Sequence, residues 1–152
     1  MKLATALSER AELQRKLSEL GTRLNNNAKV QDGEAPAEDP RELLSELDGA
    51  LARLEELMAR INLTNSSTKT PAEGVTITEL LAKRDCLKKR VQFMRSFLDS
   101  ASSKVDRYSK TEIRVVSTVD VSALQKQVDA ASKALRETDE KLQELNWTTE
   151  LL

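Results

Sequence analysis

The stretch "DPRELLSELDGALARLEELMARI", Asp39 to Ile61, decides the fold. Asp39 suits the N-cap, Pro40 fits the first helical position, where a missing N–H costs nothing, and Glu42 stands at N3 of a capping-box-like arrangement. Leu43, Leu44, Leu47, Ala50, Leu51, Leu54, Leu57 and Ile61 then recur by steps of three and four, the period of one face of an α-helix. The spacing predicts a helix over 40–61.

Upstream, "AKVQDGEAPAEDP" reads as an extended linker with Asp32-Gly33 as its turn signal, and "NNN", Asn25 to Asn27, ends the helix before it. That first helix spans about 2–24, with Leu3, Ala6, Leu7, Leu13, Leu17, Leu20 and Leu24 on one face. Downstream, "NLTNSSTKTPAEG" is a polar loop by composition, and Thr76 with Glu79 forms a T-x-x-E capping box. A third helix follows over 77–107, and Asp120 caps a fourth over 121–145. The expected fold is all-α, a single helical domain over 1–152. Four amphipathic helices form two helical hairpins, with linkers 25–39, 62–75 and 108–119.

The halves also match each other. Moving Leu3, Leu7, Leu13, Leu17, Leu20 and Leu24 forward by 74 reaches Ile77, Leu81, Leu87, Val91, Met94 and Leu98, all apolar. Moving Asp39, Leu43, Asp48, Ala50, Leu54, Glu56 and Asn65 forward by 81 reaches seven identical residues. Two readings stand: a tandem repeat of helix, connector, helix, with the seven extra residues lengthening the third helix by about two turns, or the chance agreement that any two capped amphipathic helices reach when slid along each other.

One segment departs from the helical pattern. In "KTEIRVVSTVDVSALQKQ", Ile113, Val115, Ser117 and Val119 alternate with Glu112, Arg114, Val116 and Thr118, as in a strand over 112–119. A lone strand leaves its backbone groups unpaired, so it is expected to pair with 28–31, "AKVQ", or with a second subunit.

Composition narrows the chemistry. Leu occurs 23 times, charged residues make up 32% and aromatics only 3%, the profile of amphipathic helices packed on one another. There is no histidine, which removes imidazole bases, imidazole metal ligands and Ser-His or Cys-His nucleophile pairs. The absence of a signal-peptide core, of a membrane-length apolar run and of a second cysteine points to a cytoplasmic protein. The sequons at Asn62, Asn65 and Asn146 then carry no meaning.

Few residues stand out as sites. Cys86 is a candidate reactive thiol because Lys83, Lys89 and Arg90 lie within one turn of it, although Asp85 opposes them and a half-buried structural thiol is the plainer reading. Carboxylates at helical spacing, such as Glu42, Glu46 and Glu56 or Glu137, Glu140 and Glu144, read as solvated faces. A magnesium site or an enzyme built on them is the alternative. Basic residues number ten against thirteen acidic in 1–75, ten against five in 76–119, and four against seven in 120–152. The basic third helix lacks the Gly-rich loops and interleaved aromatics of nucleic-acid binding. Phe93 and Phe97 lie about a quarter turn off the Met94 and Leu98 stripe, which makes that face wider than one partner helix needs. With Ile113, Val115, Val119 and Trp147 they form the candidate interface.

The segments "NAKVQDGE", "EDPRELLSELD", "DRYSKTEIRVVSTVDVSALQKQ" and "NWTTELL", in this order, resemble a family of small bacterial proteins sometimes labelled septicolysin. The resemblance implies a bacterial cytoplasmic protein of helical fold and carries over no catalytic residue. The label suggests a thiol-activated cytolysin, whereas Cys86 lies in "KRDCLKKR" with no aromatic beside it. The expected function is therefore a non-enzymatic, self-associating helical scaffold or protein-interaction module, a homo-oligomer or partner of another protein. No cofactor, metal, nucleic acid or membrane is expected. A carboxylate-based metal-binding bundle or enzyme is the second reading and membrane lysis the third.

Overall fold

The structure, a computed structural model, describes residues 1–103 and 115–152. Four α-helices account for it: α1, Leu3–Asn26; α2, Pro40–Ser67; α3, Ile77–Ser102; and α4, Val121–Thr148. The helices pack as two hairpins. Met1–Thr76 with Leu145–Leu152 forms one compact unit and Ile77–Glu144 the other.

In the first unit α1 and α2 run antiparallel, and their shared stripe becomes the core. Leu3, Ala6 and Leu20 from α1, with Leu43, Ala50, Leu57 and Ile61 from α2, are all buried. Each fully buried Leu or Ile contributes roughly 1.5–3 kcal/mol. Asp39 caps α2 as its sequence predicts, accepting the Arg41 N–H at 2.9 Å. Asn27 ends α1 through its side chain rather than through a left-handed backbone. Its φ is −106°, its amide donates to the Arg23 carbonyl at 2.9 Å, and its Oδ1 accepts the Glu38 N–H at 3.0 Å. The Asp32-Gly33 turn forms, with Gly33 at φ 88° and the Glu34 N–H donating to the Gln31 carbonyl at 2.9 Å. Only glycine adopts that φ without strain.

The helix α2 runs six residues past its expected end at Ile61. "NLTNSS" reads as loop by composition, but Thr64 is buried, its hydroxyl donating to the Arg60 carbonyl at 2.8 Å and accepting the Leu152 N–H at 3.0 Å. That tertiary contact overrides weak propensity. The helix α4 runs three residues past its expected end at Leu145, to Thr148. Beyond it, Leu3 N–H donates to the Thr149 carbonyl at 3.0 Å, Leu151 N–H to the Met1 carbonyl at 2.8 Å, and Lys2 and Glu150 make an isolated antiparallel bridge. Leu151 is buried, and Arg60 Nε reaches the Leu152 carbonyl at 2.7 Å.

In the second unit Leu98, Leu124 and Val128 form a cluster on which Met94, Ala101, Val119 and Val121 pack. Asp120 caps α4, its Oδ1 accepting the Ala123 N–H at 3.1 Å. The expected strand is corrected here. Residues 28–31 and 115–119 are not strands, and the isolated bridges among the described residues lie elsewhere, at Lys2 with Glu150 and Lys69 with Thr76. Ser117 explains the second segment: its hydroxyl donates to the Val119 carbonyl at 3.0 Å and accepts the Val119 N–H at 3.4 Å, a local bend that competes with extension. Residues 112–114, with Ile113, lie outside the described residues, as do 104–107 of the expected third helix.

The helix bounds carry the repeat. α1 and α3 begin 74 residues apart, at Leu3 and Ile77, and α2 and α4 begin and end 81 apart, at Pro40 and Val121 and at Ser67 and Thr148. The five buried positions of α2, Leu43, Ala50, Leu57, Ile61 and Thr64, fall on Leu124, Ala131, Thr138, Leu142 and Leu145, all buried. The seven extra residues do not lengthen α3 by two turns. As described it has 26 residues against 24 in α1.

Candidate interaction surfaces

Internal equivalence makes each hairpin a control for the other. In the first, four ion pairs cross from α1 to α2 or the linker before it, three as close rungs and a longer one between Arg23 and Glu46 at 3.8 Å. Glu9 Oε1 lies 2.7 Å from Arg53 Nε, Lys16 Nζ lies 2.7 Å from Glu46 Oε1, and Arg23 binds Glu38 through both Nε and Nη2. The rungs step forward by seven along α1 and back by seven or eight along the partner chain, the register of an antiparallel pair. Hydrogen bonds from Arg53, Lys16 and Arg23 hold the carboxyls of Glu9, Glu46 and Glu38 below the usual carboxylate range.

At the equivalent places in the second hairpin none of these pairs exists. Glu9 and Arg53 correspond to Lys83 and Ala134, Lys16 and Glu46 to Arg90 and Gln127, Arg23 and Glu38 to Phe97 and Val119. Among the described residues Lys83 and Arg90 have no carboxylate within reach, and the described α3 to α4 pair, Arg84 with Asp139, spans 4.0 Å. The excess positive charge of 76–119 thus lies partly in Arg90, whose counterpart Lys16 keeps its carboxylate partner.

On α3, Phe93 is 74% and Phe97 48% exposed. Their counterparts on α1 are Glu19 and Arg23, so the hairpin fold does not require aromatics there. Cys86, expected to be half-buried, is exposed. Its distance of seven residues from Phe93 places it on the same face, with Lys89 and Arg90 between them.

On α2 a second apolar row emerges. Leu44, Leu51 and Met58, seven residues apart, are 45–48% exposed. Sequence periodicity assigned Leu44 and Leu51 to the core stripe and passed over Met58. The buried stripe centres instead on Leu43, Ala50 and Leu57, and a seven-residue step leaves the flanking row outside. The signal was present in the repeat, since the positions 81 further on are Gln125, Ser132 and Asp139. Two of those positions, Ser132 and Asp139, line a groove between α3 and α4 of about 520 Å³ together with Val91, Arg95 and Leu135. Arg95 Nη2 reaches Ser132 Oγ at 3.3 Å, where the first hairpin has Gly21 and Leu51.

The remaining predicted interface residues separate. Val115 is exposed, but Val119 belongs to the core of the second unit and is withdrawn from the interface. Trp147 is 66% exposed in the last turn of α4. Among the described residues no three carboxylate or thiol side chains converge as a metal site requires. Among them also, no helix is long and apolar enough to cross a membrane.

No curated protein matches the chain. A crystal structure of a functionally unknown conserved protein from Corynebacterium diphtheriae is similar to it, with 44% identity and a TM-score of 0.87 over 100% of this chain and 99% of that one. A family model matches residues 10–151, and the chain belongs to that family, described as a family of unknown function (DUF6847).

Proposed function

We propose that this chain is a non-enzymatic helical scaffold of the cytoplasm that works by self-association. The observation that carries this reading is the pair of exposed apolar rows, Leu44 with Leu51 and Met58 on α2, and Phe93 with Phe97 on α3. Each lies where the equivalent hairpin has polar residues, so neither is needed to close the fold that displays it. Contiguous exposed apolar rows of this kind mark sites of association. Burying a fully exposed large apolar side chain is worth roughly 1.5–3 kcal/mol, and five partly exposed ones covered together work against the entropy of association.

The test is the absolute mass in solution by light scattering across a concentration series, on the wild type and on the double variant Leu51→Glu with Phe93→Glu. A wild-type mass above that of one chain, falling to one chain in the variant, supports the reading. A wild type that stays at one chain at the highest concentration rejects it.

A further inference from the structure

We infer that the two apolar rows are the two sides of one contact: the α3 face of Phe93 and Phe97 of one chain seats on the α2 row of Leu44, Leu51 and Met58 of a second copy. The inference rests on the self-association reading and adds which surfaces meet. Charge selects the pairing. Asp48 lies between Leu44 and Leu51, and Glu55 between Leu51 and Met58, at the three- and four-residue steps that make helical neighbours. Both carboxylates are exposed and, among the described residues, neither has a basic partner. Lys89 and Arg90 stand four and three residues before Phe93, exposed and equally unpartnered.

An α2 row facing its own copy sets acid against acid, and an α3 face doing the same sets cation against cation. Only the crossed arrangement brings the apolar rows together with opposite charges beside them, a heterologous contact between unlike patches. The dimensions agree. At 1.5 Å per residue, Leu44 to Met58 covers about 21 Å of α2, and Cys86 to Phe97 about 17 Å of α3. The second hairpin also shows how the cation became available. Arg90 stands where Lys16 is held by Glu46, but the position equivalent to Glu46 carries Gln127.

Charge exchange tests the crossed arrangement. One variant carries Asp48→Lys and Glu55→Lys, the other Lys89→Glu and Arg90→Glu. All four positions are exposed, so both variants are expected to keep the wild-type helical circular dichroism. Each alone is expected to associate at least about tenfold more weakly than the wild type, because like charges now face each other. Mixed in equal amounts they regain mass, since the reversed α2 row of one meets the reversed α3 face of the other. Cys86 supplies a readout on the unaltered protein: its alkylation by N-ethylmaleimide is expected to slow as wild-type concentration rises, and to slow in the mixture but in neither variant alone. Variants that keep the wild-type mass, or a mixture that stays unassociated, overturn the crossed contact while leaving self-association standing. A wild type of one-chain mass with a concentration-independent alkylation rate overturns both.

Discussion

The Lys16 ammonium lies 2.7 Å from the Glu46 carboxylate across the first hairpin, and the residues at the same places in the second are Arg90 and Gln127, which form no ion pair. Restoring the carboxylate is thus a direct test of the repeat. Gln127→Glu is expected to stabilise the protein by about 0.2–1 kcal/mol in urea denaturation at low salt, the usual worth of an exposed pair. The gain is expected to shrink at about 0.5 M NaCl through screening. No gain at low salt would mean that the two hairpins differ in register at this rung.

Acid should weaken the first hairpin before the second. Glu9, Glu38 and Glu46 are depressed in the folded chain, first by hydrogen bonds from Arg53, Arg23 and Lys16. Their contribution is complete above the unfolded carboxylate value of about 4.3 and is lost as pH falls through the lowered folded values. The melting temperature is expected to decline from about pH 5 downward, with amides of α1 and α2 exchanging earlier than those of α3. Uniform loss of protection across both hairpins would contradict this.

Thr64 joins α2 to the chain's last residues, because its hydroxyl donates to the Arg60 carbonyl and accepts the Leu152 N–H. Thr64→Val keeps the shape and removes both bonds. It is expected to cost about 1–3 kcal/mol and to speed amide exchange at Leu151 and Leu152. Unchanged exchange there would show that the other tail contacts, among them Leu151 N–H to the Met1 carbonyl and Arg60 to the Leu152 carbonyl, suffice without Thr64.

Leu57 is fully buried in the middle of α2, so Leu57→Ala is expected to cost about 2–5 kcal/mol by urea denaturation. The equivalent Thr138 is also buried but bonds the Ala134 carbonyl of its own helix at 2.8 Å. Thr138→Val removes donor and bond together in an apolar setting and is expected to change stability by less than about 1 kcal/mol. A large loss there would mean that the hydroxyl serves a group other than Ala134.

The all-α fold, the four helix starts near 2, 40, 77 and 121, and the Asp39 and Asp120 caps were legible in the sequence. Each is set by contacts within about one helical turn, where side-chain period and capping chemistry act alone. The halves could be aligned for the same reason, and the offsets of 74 and 81 recur in the helix bounds.

Tertiary structure decided what depends on partners far along the chain. It continued "NLTNSS" as helix because Leu152 returns to Thr64, and it packed Val119, beside the local Ser117 bend, against the core of the second unit. It also divided one apolar stripe of α2 into a buried row and an exposed one. A three- and four-residue period specifies a face of the helix, but only the position of α1 determines how much of that face is covered. Leu43, Ala50 and Leu57 lie beneath the contact, and Leu44, Leu51 and Met58 lie beside it.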